Sequence, residues 1–318
     1  MRFNPQPVGA SLHFTSRIPA DAAEVLRERD GDLASFDLTP NWGVVPEVSV
    51  ADLLEEGVSI PEHWQRDDVV VPIIHGQAFY IGDIQLGGGA MSASMKGVNL
   101  RTGRPEQEGP VSDDPSQTYW APGVYLPWID GYVPSDGEAV RQFVPLKGEA
   151  EMGFDVARHV GISDDDPFID ALRLRFFAPI INRVVDGPTR YSYTDGPTFL
   201  GSGSKPAMRG PVRGLLSASA SSPVGMGAGA RMRQTHQHNT NWKASDFKQS
   251  PWFEGTFRMV WWEDFNALAN QVCGSVPVSH TQLERMDALQ AEYEAKLRRS
   301  MGIVPRVATD VDRLPVAP

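Results

Sequence analysis

Apolar side chains recur at every second position through much of the middle of the chain. Leu172-Arg173-Leu174-Arg175-Phe176 alternates apolar with cationic residues, the pattern of a half-exposed strand with one greasy face and one charged face. Val69-Val70-Val71-Pro72-Ile73-Ile74 is instead a continuous, mostly β-branched run, which fits a strand covered on both sides; Gln77 to Leu86 continues it beyond Gly76. Gly87, Gly88 and Gly89 break that pairing, Met91 to Leu100 resumes as one strand, and Arg101-Thr102-Gly103 turns it. Val8 to Thr15, Ala139 to Leu146, Met152 to Val156 and Thr256 to Trp262 have strand composition as well. Two Asp-Gly-Pro-Thr turns, at 186–189 and 195–198, bracket a short strand, Arg190 to Tyr193.

The period lengthens toward the ends. Asp21 and Glu24 have the spacing of a helix cap and its reciprocal acid, with Gly31 as the stop, and Ser49 to Gly57 predicts a second short helix. Asp264 to Val272 is a third, closed by Gly274. From about Thr281 to Met301, Leu283, Met286, Leu289, Tyr293 and Leu297 form a narrow stripe at spacings of three and four, with Ser279 and Gln282 placed to cap it. Such a stripe docks on its own sheet or on a neighbouring subunit. Ile303 to Pro318 has no period and reads as an extended arm. The pattern predicts a mainly β fold, a β-sandwich or jelly-roll-like barrel with short N-terminal helices and an amphipathic C-terminal helix. Its expected divisions are 1–67 (N-terminal strand and helical cover), 68–274 (β-rich core) and 275–318 (helix and arm). Ser202 to Ser222, poor in large residues, is a long loop and a candidate boundary.

Candidate chemistry gathers between Gly225 and Trp262. If Arg231 to His238 is extended, His236 and His238 share a strand face, a spacing that chelates a transition metal; His75, beside Gly76, is a candidate third ligand. The same His-x-His is also what two half-exposed strand residues near a loop look like. The cupin barrel sets a glycine before such a pair and a glutamate shortly after it. Here six residues separate Gly229 from His236, and the next acids are Asp246 and Glu254. Gly225, Gly227 and Gly229 precede a strand-like Arg-Met-Arg-Gln and not a helix, so close backbone packing suits them better than a phosphate loop. Arg231 and Arg233, with the proline-held aromatics Trp120 and Trp128, are candidate partner-binding residues, the tryptophans serving either as a platform or as packing at a sheet edge. Ser163-Asp164-Asp165-Asp166-Pro167 lacks the order of a calcium loop and reads as a solvated turn.

The runs Val140-Arg141-Gln142-Phe143-Val144 and MGAGARMRQ (226–234) resemble blocks of uncharacterised bacterial and fungal proteins of unassigned function. That resemblance implies an order of blocks and no chemistry. A net charge of -11 argues against nucleic acid as a partner, although Lys205, Arg209, Arg213, Arg231, Arg233, Lys243 and Lys248 outnumber Asp246 between Gly201 and Lys248. The single cysteine, Cys273, allows no intrachain disulfide. There is no signal-peptide pattern at the N-terminus and no run of eighteen apolar residues, so the expected setting is cytoplasmic and away from membranes. No complete catalytic constellation is present. The expected function is therefore a non-enzymatic binding or assembly protein, possible subunit of a larger particle, acting through self-association or another protein and needing no cofactor. The alternative is a cupin-like metal-dependent enzyme built on His236 and His238.

Overall fold

The computed structural model describes residues 8–19, 40–113, 116–121, 128–133, 140–147, 156–180, 224–226, 231–232 and 242–300. The expected helix at 21–31, residues 152–155 of the strand expected at 152–156, the paired turns at 186–198, the loop at 202–222, Arg233, His236, His238 and the arm at 303–318 lie outside them; Val156 begins a short helix and not a strand end. The described chain is mainly β.

In chain order the first elements are β1 (Val8–Thr15), β2 (Asn41–Val44), β3 (Val48–Ser49), α1 (Val50–Glu55), β4 (Val69–Ile73), β5 (Ala78–Leu86), β6 (Ala90–Met95) and β7 (Val98–Asn99). Short pieces follow: β8 (Ser112–Asp113), β9 (Ser116–Gln117), β10 (Gly131–Tyr132), β11 (Val140–Gln142), β12 (Pro145–Lys147) and α2 (Val156–His159). The last are β13 (Ala171–Phe177), β14 (Val224–Met226), β15 (Arg231–Met232), β16 (Phe253–Trp261), α3 (Trp262–Cys273) and α4 (His280–Ser300).

Six strands form the main sheet, in the order β3-β4-β16-β13-β6-β7, with β4 and β16 parallel and the other neighbours antiparallel. A second sheet has the order β2-β1-β5. The sheets are open, and no barrel closes among the described residues. One apolar cluster draws on both: Leu12, Phe14, Phe79 and Ile81 from the second sheet meet Met91, Leu172, Leu174, Phe176, Met259 and Trp261 from the first. Strands on the two sides of residue 67 share sheets, since β1 is the middle strand beside β5 and Val48 pairs with Val70.

Local chemistry explains most boundaries. Ser49 caps α1, its Oγ accepting the Ala51 N–H, and Gly57 follows in the left-handed region at φ 74°. The expected single strand from Met91 to Leu100 is instead a hairpin. Lys96 and Gly97 both take positive φ, 54° and 74°, so the chain doubles back and Met95 pairs with Val98. Lys-Gly is a weak turn signal beside Asn-Gly, which is why alternation alone ran straight through it. Between β1 and β5 a bulge at Gly9/Ser11 holds Asp83 at φ 52°, a conformation that aspartate tolerates better than bulkier residues. Ala139 to Leu146 divides into β11 and β12. These pair antiparallel with β15 and β14 respectively.

Helix α3 follows β16 directly and ends at Gly274, φ 62°. Its Phe265 and Ala269 join Val50, Leu53, Val70 and Val260 in a second apolar cluster that covers one end of the main sheet's other face. Helix α4 docks on its own chain: Leu283 and Met286 pack beside the two main clusters and Leu297 beside Ile18, Val133 and Val140. None of the described helices is long and apolar enough to cross a membrane.

Candidate functional site

The most elaborate arrangement of polar side chains lies in the middle of that other face. Register fixes its members: Arg173 stands opposite Ser94 and Thr256, Arg175 opposite Ser92 and Glu254, and Arg258 opposite Ala171 and Val70. Arg258, 1% exposed, sits at the centre. Its Nε donates to Asp68 Oδ2 at 2.6 Å, Nη1 to Asp170 Oδ1 at 2.8 Å and to the Pro167 carbonyl at 2.6 Å, and Nη2 to the His63 carbonyl at 3.0 Å. Asp170 is oriented in turn by Trp64 Nε1 at 2.7 Å, and the His63 ring nitrogen Nε2 lies 3.0 Å from the same oxygen. Asp68 also accepts the Gln65 N–H at 2.8 Å.

Arg173 makes a two-point pair with Glu254, Nε to Oε1 at 2.5 Å and Nη2 to Oε2 at 2.9 Å, and reaches Glu106 at 3.3 Å. Arg175 is bound to Glu106 at 2.6 Å and donates to the Gln107 and Glu108 carbonyls. The Phe168 ring lies between two guanidiniums, 4.2 Å from that of Arg173 and 5.7 Å from that of Arg258. Burial lowers Arg175, offset in part by Glu106 and reinforced by Arg173. Burial pulls on Arg173 too, but Glu254 and Glu106 outweigh it and hold that guanidinium above its ordinary range. Each arginine is thus paired with named carboxylates or carbonyls of the same chain, although the buried Nε of Arg175 has no hydrogen-bond partner. The network is a rigid electrostatic frame and not an open anion site, and its most accessible member is the half-exposed imidazole of His63, held by a fixed carboxylate.

The face of β13 that carries Arg173 and Arg175 is consequently not the half-exposed face the alternation suggested; the loop 105–111 folds Glu106 over it, its side chain 8% exposed. This network was missed as a site. Arg258, set inside the apolar run Thr256 to Trp262, was the available signal, because a charge in the middle of a buried strand needs a partner.

Of the predicted site residues, the described ones are His75, Arg231, Trp120 and Trp128. His75 follows β4 and its Nδ1 accepts the Lys147 N–H at 3.0 Å. Lys147 pairs with Val224, whereas Arg231 and Met232 lie opposite Arg141 and Val140. Among the described residues no group of three His, Cys, Asp or Glu could hold a metal ion. Trp120 is 2% exposed, with its backbone paired to Met91 and the Arg101 guanidinium 5.9 Å from its ring. Half-buried Trp128 hydrogen-bonds the Asp130 carboxyl through its side chain. Burial raises that carboxyl to about 6 against the opposing hydrogen bonds from its own backbone and Trp128.

Large apolar side chains do reach solvent at the opposite end of the main sheet. Trp252 and Phe253, at the start of β16, are 41% and 45% exposed, and Ile180, just beyond β13, is 59% exposed. Backbone bonds hold them in one place: Trp252 N–H to the Phe176 carbonyl at 2.9 Å and Ile180 N–H to the Asp246 carbonyl at 2.7 Å. No family model, curated protein or solved structure matches this chain.

Proposed function

We propose that the chain is a non-enzymatic binding or assembly protein, working by self-association or through another protein, and that its two sheets serve as an open sandwich of the kind that carries such surfaces. The observation that carries this reading is the contrast between paired charge inside and apolar groups outside: Arg173, Arg175 and Arg258 are ion-paired within the chain, while Ile180, Trp252 and Phe253 reach solvent beside hydrogen-bonded backbone. The likeness of 140–144 and 226–234 to uncharacterised bacterial and fungal proteins, and a cytoplasmic setting, belong to the same proposal.

Light scattering across a concentration series tests it. Association is expected in the wild type, weakened about tenfold by Trp252→Ala with Phe253→Ala. Stoichiometric metal in the purified protein, lost on His236→Ala with His238→Ala, would displace this reading in favour of the metal-dependent one.

A further inference from the structure

Helix α4 is attached differently from α3. Where α3 buries Phe265, Asn266 and Ala269, no residue of α4 from His280 to Arg299 is buried. One polar hold is on the backbone of a single residue: Gln290 Oε1 accepts the Arg17 N–H at 2.8 Å, and its Nε2 donates to the Arg17 carbonyl at 2.8 Å. Glu294 adds an ion pair to the Arg17 guanidinium at 3.5 Å, and Leu297 rests on Ile18, Val133 and Val140.

The groove does not depend on the helix for its shape. Gln142 holds the chain on both sides of Arg17, its Nε2 donating to the Ser16 carbonyl at 2.9 Å and its Oε1 accepting the Ile18 N–H at 3.0 Å; Gln77 donates to the Thr15 carbonyl. An extended segment pinned from the sheet side by two glutamines keeps its outward N–H and carbonyl ready for a third. The helix is equally self-sufficient. Ser279 and Gln282 cap it reciprocally, Ser279 Oγ accepting the Gln282 N–H at 3.3 Å and Gln282 Oε1 the Ser279 N–H at 2.7 Å. It is rich in Ala, Leu, Glu and Gln, and Arg298 and Arg299 close its last turn. Its 21 residues exceed the length below which isolated helices are marginal.

The connection to α3 begins at left-handed Gly274 and includes Pro277 and Val276, the latter 56% exposed. It is secured at Val278, whose N–H and carbonyl both bond Asn266, at 3.0 and 2.6 Å, and whose side chain is buried in the second apolar cluster.

We propose that α4 is an exchangeable strap, which lifts from the Arg17 groove as an intact helix and seats in the same groove of a second copy of this chain. The occupant follows from the one already seated, since a second α4 presents the same Gln290, Glu294 and Leu297 to the same Arg17 and Ile18, and exchange costs only the opening of the hinge. This rests on the self-association reading above.

The test uses the full chain with Arg17→Lys, which keeps the cation and supplies an amine that carbodiimide couples to Glu294. Light and 15N-labelled copies are mixed, incubated at associating concentration and cross-linked. Light–heavy linked peptides, approaching half of that cross-link, are expected. A dimer yielding only same-isotope links overturns the exchange and leaves self-association standing, whereas a chain that stays monomeric overturns both. Hydrogen exchange on the wild type supplies the second arm: α4 amides should exchange at least about tenfold faster than those of β16. Protection of α4 equal to that of β16 would show that the helix does not lift separately.

Discussion

The two faces of the main sheet use the same strands and reach the same burial by opposite means. On one face Leu172, Leu174 and Phe176 meet Met95, Ala93 and Met91 across the β13–β6 ladder and need nothing but one another's volume. On the other face, Arg175 and Arg258 are buried and Arg173 half-buried as ions, and they require Asp68, Asp170, Glu106 and Glu254 at fixed positions. The difference lies in how failure propagates. A lost methylene leaves a hole whose neighbours relax in part, whereas a lost charge leaves its partner ionised in a dry place.

The largest effect is therefore expected at Arg258. Arg258→Met should destabilise the fold by about 3–5 kcal/mol, because Asp68 and Asp170 lose their shared cation. Adding Asp68→Asn and Asp170→Asn to that variant should recover at least half the loss. Leu174→Ala on the apolar face should cost about 3 kcal/mol, with no second substitution of a charged residue able to restore it. Urea unfolding of the four proteins measures all of this. A neutral Arg258→Met, or a triple variant no better than the single one, breaks the contrast between the faces.

How much of this the sequence disclosed follows the same divide. The apolar face was legible, because period-two alternation states which residues share a face, and β1, β4, β5, β13, α1 and α4 fall close to where the pattern set them. The charged face was legible only as a set of residues. Alternation does not say whether a face meets water, and Glu106 arrives from a loop whose Pro-rich, acidic composition reads as exposed. The Asp68 and Asp170 carboxylates come from turns 190 and 88 residues away from Arg258, a separation no local window spans. Lys96-Gly97 shows the converse failure, a turn made by a dipeptide whose side chains do not advertise it.

Asp130 sharpens the comparison from the apolar side. It is a carboxyl flanked by buried Ile129 and near Tyr132, both in the main apolar cluster, and its hydrogen bonds come from its own backbone and Trp128. Its ordinary value is 3.8, and in the folded chain it stands at about 6. Below the lower value both folded and unfolded chains hold the proton. Between the two only the folded chain does, so unfolding releases it and stability falls as pH rises; above the higher value the cost of burying the charge is constant. Asp130→Asn should accordingly be more stable than wild type by about 2 kcal/mol at pH 7, the gap closing by about pH 4. Equal stability at pH 7, or a gap that persists at pH 4, would mean the carboxyl is not buried uncompensated.

The smallest expected effect marks where the charged face meets water. Glu254 is held two-point by Arg173, but its side chain is 32% exposed, so solvent shares in neutralising whatever is left when it goes. Glu254→Gln should cost about 1 kcal/mol, well short of Arg258→Met although both break a guanidinium–carboxylate pair. The Arg66–Glu55 pair, at 2.7 Å but more than 60% exposed on both sides, supplies the outer limit: Arg66→Gln should change stability by less than about 0.5 kcal/mol. Raising the salt concentration separates the cases by the same logic, since screening erases the Arg66 effect first and touches the Arg258 effect least. If the three losses proved equal, depth beneath the surface would not be what gives these ion pairs their weight, and the division of the sheet into a face that packs and a face that pairs would lose its energetic meaning.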